Sequence, residues 1–133
     1  MQKKYILDSN IVIHLLRGNE KVRRHIEEVG IENCYISEVT TFELYYGAEC
    51  SAHPEENREL VAALVAEFTV IPFRVSLREA CRQKAALRKS GTMIEDWDIL
   101  IGSTGVVLDY IVVTENTKHL SHLYDIRLEN WNA

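Results

Sequence analysis

The sequence predicts an α/β fold, in which a central, mostly parallel β-sheet is covered by helices on both faces. Short apolar stretches alternate along the chain with longer amphipathic ones, and this alternation is typical of repeated strand and helix units. The clearest buried strands are predicted at residues 5–7 and 110–113. Because the 133 residues contain neither a repeat nor a linker, we expect one domain spanning residues 1–133.

The composition restricts the class of protein. With 47% hydrophobic and 26% charged residues, the chain has the balance of a globular protein. No apolar run approaches the roughly 18 residues of a membrane span and no signal peptide is visible, so we expect a cytoplasmic protein without a membrane partner. Cys34, Cys50 and Cys81 are odd in number and lack metal-site spacing, which predicts free thiols in a reducing compartment.

Two helices are predicted directly after the first strand. Apolar residues recur at helical spacing over residues 9–16, and Gly18 supplies a stop signal. A second helix is predicted over residues 20–29, ending at Gly30. The chain thus leaves the first strand through an αα pair before it returns to the sheet.

The middle of the chain predicts a short strand and two helices. The strand covers residues 34–36, and Ser37 caps a helix that stops near Gly47 or one turn later. Pro54 suits the first turn of the next helix, where its missing N–H costs nothing. In that helix we expect one apolar stripe to face the core: Leu60, Leu64 and Phe68.

The last third of the chain returns to the same alternation. Residues 70–71 predict a strand, and Ser76 begins a long helix that runs to the turn at 90–91. The following helix carries Gly102 and Gly105 at a spacing that puts both on one face. We therefore expect another element to approach this helix closely before the strand at 110–113.

Three acidic residues occupy unusual positions in this pattern. Asp8 follows the first strand, Glu43 lies within an apolar helix, and Asp98 lies in the first turn of the glycine-containing helix. A carboxylate at a strand exit lies on the sheet rim, where open α/β folds bind ligands. Two carboxylates roughly 4 Å apart repel by about 4 kcal/mol at an effective dielectric near ~20, so three converging acids need compensation. Mg²⁺ or Mn²⁺ would supply it, and such a centre suits phosphodiester hydrolysis.

Each acid also has a purely structural interpretation. Asp8 can cap the helix that follows it, and Glu43 can point to solvent. Asp98 can match the helix dipole, a role equally open to Asp96 and Glu95. The residues alone leave the metal site and these structural roles as open alternatives.

The charge distribution gives mixed indications about a nucleic-acid partner. A formal net charge of -5 argues against phosphate binding, which usually leaves a basic surface. Basic residues nevertheless cluster within residues 17–24 and 74–89, and Arg74, Arg78 and Arg82 share one helix face. An ordinary solvated helix face explains the same pattern.

Four segments, in order, resemble the PIN-domain ribonucleases, and specifically the VapC-type toxins of type II toxin–antitoxin systems. They are LDSN at 7–10, SEVTTFELYYG at 37–47, DILIG at 98–102 followed by VVTEN at 112–116, and IRLENW at 126–131. The resemblance covers nearly the whole chain. It implies a PIN-like three-layer sandwich and a metal-dependent endoribonuclease that hydrolyses phosphodiester bonds in RNA.

The resemblance implies that Asp8, Glu43 and Asp98 are the catalytic acids. Asp8 and Asp98 would be the direct ligands of Mg²⁺, with Mn²⁺ as the alternative ion. Glu43 would hold a metal-bound water or accept the proton of the attacking one. Asp98 is preferred to Asp96 because the acid of the family directly precedes the apolar run.

Four further polar residues complete the implied centre. Ser9 or Asn10, together with Thr114, would orient the carboxylates as hydrogen-bond donors. Many PIN domains have a fourth acid where this chain has Asn116. An amide can bind water or metal but supplies no charge, so we expect one metal ion and a water-positioning role for Asn116. The adjacent Glu115 is expected to point elsewhere.

The resemblance also implies binding partners. Arg88 and Lys89, and less directly Arg17, would bring RNA phosphates to the acidic cleft. A cognate antitoxin protein would block that cleft, commonly with a helix in an apolar groove. A homodimer is expected. Transfer RNA, and initiator tRNA in particular, is the expected substrate by similarity to bacterial toxins, with ribosomal RNA left open.

Two other functions were weighed against the nuclease. A haloacid-dehalogenase-like phosphatase needs a second acid two residues after its nucleophile, and here that position is Asn10. The more serious alternative is a catalytically weakened PIN-like protein-binding module in which Asn116 marks a decayed site. The presence of Asp8, Glu43 and Asp98 argues against decay.

Overall fold

Five parallel strands form one sheet in the order β3-β2-β1-β4-β5, in a computed structural model that describes residues 2–133. Each of the four strand pairings is parallel, which confirms the predicted sheet. The strands are β1 (Tyr5–Leu7), β2 (Cys34–Ser37), β3 (Thr69–Ile71), β4 (Ile111–Val113) and β5 (Leu128–Glu129).

Seven α-helices connect or follow these strands within the described residues. They are α1 (Ser9–Leu16), α2 (Glu20–Val29), α3 (Glu38–Glu49), α4 (Pro54–Val65), α5 (Leu77–Ser90), α6 (Asp96–Leu108) and α7 (Thr117–Leu120). Two short 3₁₀ turns, Ile31–Asn33 and Phe73–Val75, precede β2 and α5.

Helix ends lie where local signals in the sequence predicted them. The first two helices have the predicted bounds, 9–16 and 20–29. Ser37 caps α3, since its Oγ accepts a hydrogen bond from the backbone N–H of Val39 at 3.0 Å. Gly91 closes α5 in the left-handed region, at φ 72°, where glycine avoids the Cβ penalty.

The two faces of the sheet bury separate apolar clusters. Successive side chains of a strand point to opposite faces, so Tyr5 and Leu7 of β1 join one cluster while Ile6 joins the other. The first cluster also contains side chains of α1 to α4, and the second contains side chains of α5 to α7 with Val39 of α3. This arrangement is the expected three-layer sandwich.

One predicted packing face of α4 was wrong. Leu60 is 57% exposed, whereas its neighbour Val61 is 2% exposed and belongs to the core. Leu64 packs partly against the core, and Phe68 is buried just beyond the end of the helix. The helix is therefore rotated so that its inward line passes through Val61, and Leu60 is left at the surface.

Helix α6 approaches its neighbours closely, as its glycines predicted. A Cβ atom on Gly105 would lie 2.3 Å from Cγ2 of Val112 in β4. A Cβ atom on Gly102 would lie 2.3 Å from Cδ1 of Leu123. Since both contacts are far shorter than ordinary van der Waals distances, α6 can pack here only because these positions lack side chains.

The order of the strands creates a switch point between β1 and β4. The chain moves from β1 to β2 and β3 on one side, and then continues with β4 and β5 on the other. Open α/β sheets bind ligands in the crevice outside the carboxyl ends of the strands at such a point. Asp8 and Thr114 are the first residues after β1 and β4.

Two expectations from composition concern the whole chain. Cys34, Cys50 and Cys81 are free, and Cys34 is the buried one. Among residues 2–133, no helix has the length and apolar character needed to cross a bilayer.

Candidate active site

Asp8 is buried at the junction of β1 and α1 and uses its two oxygens differently. Oδ1 accepts a hydrogen bond from the backbone N–H of Ser9 at 2.7 Å, so the carboxylate does cap α1. Oδ2 accepts hydrogen bonds from Oγ1 of Thr114 at 2.8 Å and from Nδ2 of Asn10 at 3.5 Å. Burial raises the pKa of Asp8, against the lowering effect of the bonds from Thr114 and Ser9.

The side chain of Glu43, on α3, lies beside the first residue of α1. Oγ of Ser9, the residue after Asp8, donates a hydrogen bond to Oε1 of Glu43 at 2.5 Å. The side chain is therefore tied to the start of α1 and does not simply extend into solvent. Burial raises the pKa of Glu43, and the nearby charge of Asp8 raises it further, while the bond from Ser9 acts in the opposite direction.

Asp98 is half-buried in the first turn of α6. Its Oδ2 accepts a hydrogen bond from Nδ2 of Asn116 at 3.1 Å. The pKa of Asp98 is raised to about 6, first by burial and then by the charge of Asp8, with a further contribution from Glu43. His119 lowers this pKa. Hydrogen bonds connect the three carboxyl groups in one network, because Asn116 and Thr114 link Asp98 to Asp8 and Ser9 links Asp8 to Glu43.

The neighbouring acids of α6 have other surroundings. Asp96 is exposed, and its Oδ1 forms an ion pair with Nζ of Lys84 at 2.8 Å. Glu95 is exposed at the N-cap position. Of the three acids at this helix start, Asp98 is therefore the one that lies with Asp8.

A hydrogen-bonded frame behind the acids joins the exits of β1 and β4. Thr114 is fully buried, and its Oγ1 both donates to Asp8 and accepts a hydrogen bond from the backbone N–H of Asn116 at 2.9 Å. Asn10 spans the same gap, since its Oδ1 accepts from the backbone N–H of Glu115 at 3.2 Å. The residues expected to orient the carboxylates thus have hydrogen bonds that can do so.

Glu115 points away from the three acids, as expected. Its Oε1 is hydrogen-bonded to Nε2 of His14 on α1, and its Oε2 accepts a hydrogen bond from Nδ2 of Asn132 at 3.2 Å. The sequence did not identify His14 or Asn132 as its partners, because they are distant in the chain and no local pattern connects them.

The donor set suits a hard divalent cation. Three carboxylates and the amide carbonyl of Asn116 are oxygen donors of the kind that Mg²⁺ and Mn²⁺ prefer. Within residues 2–133, no three side chains of His, Cys, Asp or Glu form a complete metal-binding cluster. Mg²⁺ typically needs only one or two protein carboxylates and keeps several waters, so an open site with two carboxylates fits it.

The structure separates the candidate RNA-binding cations. Arg17 lines a groove of about 370 Å³ that also contains Glu43. Arg88 and Lys89 lie on the last turn of α5, on a surface shared with Cys81 and Lys84 that includes none of the three acids. They were chosen because they precede the turn that leads to Asp98, and their contact with RNA stays a prediction.

His119 is the functional candidate that sequence reasoning missed. It is exposed on the short helix α7, lines an open cleft with Trp97, and lowers the pKa of Asp98. A four-residue helix shows no periodicity that could have revealed it.

Comparison with known proteins agrees with this fold. The sequence profile of the PIN domain matches residues 5–126. The chain is 32% identical over 131 residues to ribonuclease VapC2 of Haemophilus influenzae, covering 96% of this chain and 98% of that one. It is 28% identical over 129 residues to a tRNA(fMet)-specific endonuclease VapC of Salmonella typhimurium, covering 96% and 98%.

A solved structure gives the same result. DNA-bound VapBC from Salmonella typhimurium superposes with a TM-score of 0.91 at 27% identity, covering 97% of this chain and 98% of that one. The chain belongs to the PIN-domain family. Its relatives within that family are VapC ribonucleases.

Proposed function

We propose that this protein is a metal-dependent endoribonuclease and the toxin of a toxin–antitoxin pair. The observation that supports the proposal is the hydrogen-bonded network that links Asp8, Glu43 and Asp98, each with a raised pKa, beside the switch point of the sheet. A site with surplus negative charge favours a divalent cation over an apolar or anionic ligand. The VapC ribonucleases of Haemophilus and Salmonella support RNA as the substrate.

Each acid has a distinct role in the proposed reaction. Asp8 and Asp98 hold Mg²⁺ or Mn²⁺, which when bound supplies Lewis-acid chemistry toward the scissile phosphate. Glu43 accepts the proton of the attacking water, a role that suits a half-buried carboxyl with a raised pKa. Its hydrogen bond from Ser9 fixes the direction of the carboxyl group.

The hydrogen-bonded frame keeps the two proposed ligands in place. Thr114 donates a hydrogen bond to Asp8, and the amide of Asn116 donates one to Asp98. Since an amide is neutral, Asn116 supplies no negative charge for a second cation. We therefore propose one metal ion at this centre.

We propose tRNA as the substrate, and initiator tRNA as the first species to test. The support is the endonuclease VapC of Salmonella typhimurium, whose name specifies tRNA(fMet) and which aligns with 96% of this chain.

An antitoxin protein and a second copy of the chain are the proposed protein partners. The groove that ends at Arg17 and Glu43 has an apolar lining, chiefly Ile13, Leu16 and the exposed Leu60. Such a groove suits the apolar face of an antitoxin helix. Homodimer formation is tested by sedimentation of the purified protein.

Cleavage of total RNA tests the enzymatic proposal. We expect the wild-type protein to cleave RNA with Mg²⁺ and not with EDTA, and the Asp98→Asn variant to be inactive. Asp96→Asn is the matched control, because Asp96 lies in the same helical turn but pairs with Lys84 at the surface. Equal cleavage by wild type and Asp98→Asn would contradict the site.

A Mn²⁺ titration distinguishes the nuclease from a weakened protein-binding module. Calorimetry of the wild-type protein should give one ion per chain, and Asp8→Asn should abolish the binding. A chain that takes up no Mn²⁺ would favour the binding module.

A further inference from the structure

Two exposed aromatic side chains stack between α3 and α6, the helices that carry Glu43 and Asp98. Phe42 is 59% exposed and Trp97 is 43% exposed, and their rings stack with centroids 5.6 Å apart and 26° between the planes. Each directly precedes a site acid, since Phe42 is followed by Glu43 in α3 and Trp97 by Asp98 in α6. The pair therefore joins the two helices that bring these acids together.

The core does not account for this pair. Neither ring belongs to either buried cluster. Large aromatic side chains that stay half in water gain less from burial than core residues do, so their position at the rim of a site indicates a ligand.

Trp97 also lines an open cleft at the start of α6. The cleft measures about 760 Å³, within the range of roughly 300–1,000 Å³ that is typical of small-ligand sites. Apolar side chains of Phe73, Ile94 and Leu100 line it, and His119 contributes a polar edge. This combination suits a flat ring with polar atoms at its margin.

The charges of the cleft select a base and exclude a phosphate. Glu95 and Asp96 line the cleft as well, and carboxylates repel the RNA backbone. A nucleobase is neutral, and base stacking on an indole depends little on nearby charge. The phosphate would instead lie toward Asp8 and Asp98, where the cation is proposed.

We propose that Trp97 stacks on an unpaired base of the RNA substrate, next to the phosphate that is cleaved, and that Phe42 positions the indole. This inference rests on the proposed nuclease function and assigns one side chain to base recognition within its RNA substrate. A base within a duplex is already stacked on its neighbours, so a loop or an unpaired end is the form that fits the cleft.

Tryptophan fluorescence tests the inference directly. The chain has two tryptophans, and Trp131 is only 1% exposed, so a bound base should quench Trp97 selectively. The probes are a short unstructured oligoribonucleotide and an abasic oligonucleotide of the same length, both added in EDTA, where no cleavage is expected. We expect quenching by the first and not by the second.

Substitutions separate stacking from a structural role. Trp97→Ala should weaken binding of the base-containing probe by about 5- to 150-fold, the range for loss of one stacked base, and Trp97→Phe should restore most of the affinity. Phe42→Ala should give a smaller loss. Tyr124→Ala removes an exposed aromatic side chain that does not line the cleft, and should leave the affinity unchanged.

Three results would overturn the inference. They are equal binding of the two probes, unchanged affinity of Trp97→Ala, and a Trp97→Ala variant whose sedimentation mass falls to that of a single chain, which would show that a second copy covers Trp97. Quenching without any cleavage of RNA would instead support the base site while the nuclease proposal failed.

Discussion

Burial and neighbouring charges shift the pKa of Asp98, and this shift makes the stability of the protein depend on pH. Its pKa rises from an ordinary value of 3.8 to about 6, because it is half-buried and lies near Asp8 and Glu43. The folded chain therefore binds this proton more tightly than the unfolded chain does. The resulting stabilisation is complete below the unfolded pKa and is lost as the pH rises through about 6.

Removal of this charge should stabilise the metal-free protein. At neutral pH in EDTA, we expect Asp98→Asn to raise the free energy of unfolding by about 0.5–1 kcal/mol, a value reduced for solvent screening of a half-exposed group. The gain should vanish as the pH approaches about 4, where the wild-type carboxyl is also neutral. Urea denaturation at a series of pH values provides the measurement.

Asp96→Asn is the control for this experiment. It removes an exposed charge that is paired with Lys84, so it should not stabilise the protein at neutral pH. If Asp98→Asn were less stable than wild type in EDTA, the proposed repulsion among the acids would be absent.

Thr114 is the residue on which the frame of the site depends. Thr114→Val keeps the shape but removes the hydroxyl that serves both Asp8 and the backbone of Asn116. We expect a loss of about 1–3 kcal/mol in the free energy of unfolding, because buried partners are left unsatisfied. RNA cleavage should fall by about 10- to 100-fold.

Thr114→Ser tests whether the hydroxyl or the methyl group is responsible. Serine keeps the donor, so cleavage by Thr114→Ser should stay near the wild-type rate even if packing makes the variant less stable. Equal activity of the Val and Ser variants would show that Thr114 does not orient Asp8.

At the scale of elements, the close packing of helix α6 against β4 determines how near Asp98 lies to the sheet. Gly105→Ala would force a Cβ against Val112, a stiff β-branched residue that is fully buried, and against the carbonyl oxygen of Tyr110. We expect a loss of about 1–3 kcal/mol in the free energy of unfolding from overpacking. Thermal or urea denaturation measures it.

Gly47→Ala is the matched control in another helix. No atom lies within 4 Å of a Cβ built on Gly47, and the residue is exposed in α3. The substitution should stabilise the protein by roughly 0.5–1 kcal/mol through helix propensity. A loss at Gly47 comparable to that at Gly105 would show that close packing is not the cause.

At the scale of the whole molecule, a bound cation should stabilise the fold. The proposed ligands Asp8 and Asp98 come from the first strand exit and from α6, so the ion would join distant parts of the chain. Mn²⁺ at a concentration of about 100 times its dissociation constant should add about 2.7 kcal/mol to the free energy of unfolding. A thermal-shift titration in metal-free buffer measures the effect.

Asp8→Asn separates the two uses of that side chain. Asparagine caps a helix about as well as aspartate does, so α1 should form and the variant should fold. The Mn²⁺-dependent stabilisation should nevertheless disappear. Full stabilisation of Asp8→Asn by Mn²⁺ would place the cation elsewhere.

The sequence by itself determined the local elements and the acids worth considering. The bounds of α1 and α2 follow from apolar spacing and from stop signals at their ends, and the parallel sheet follows from the alternation of strands and helices. Resemblance to the PIN family then favoured Asp8, Glu43 and Asp98 among the acids. These signals are readable because each depends on a few neighbouring residues.

Tertiary structure alone decided which residues meet. The sequence placed Leu60 on the buried side of α4, whereas packing buries Val61 and leaves Leu60 exposed. It also brought His119 to the cleft without any sequence signal. Helical periodicity does not define the rotation of a helix to within one residue, and separation along the chain does not define distance in the fold. These contacts were therefore decided by tertiary packing.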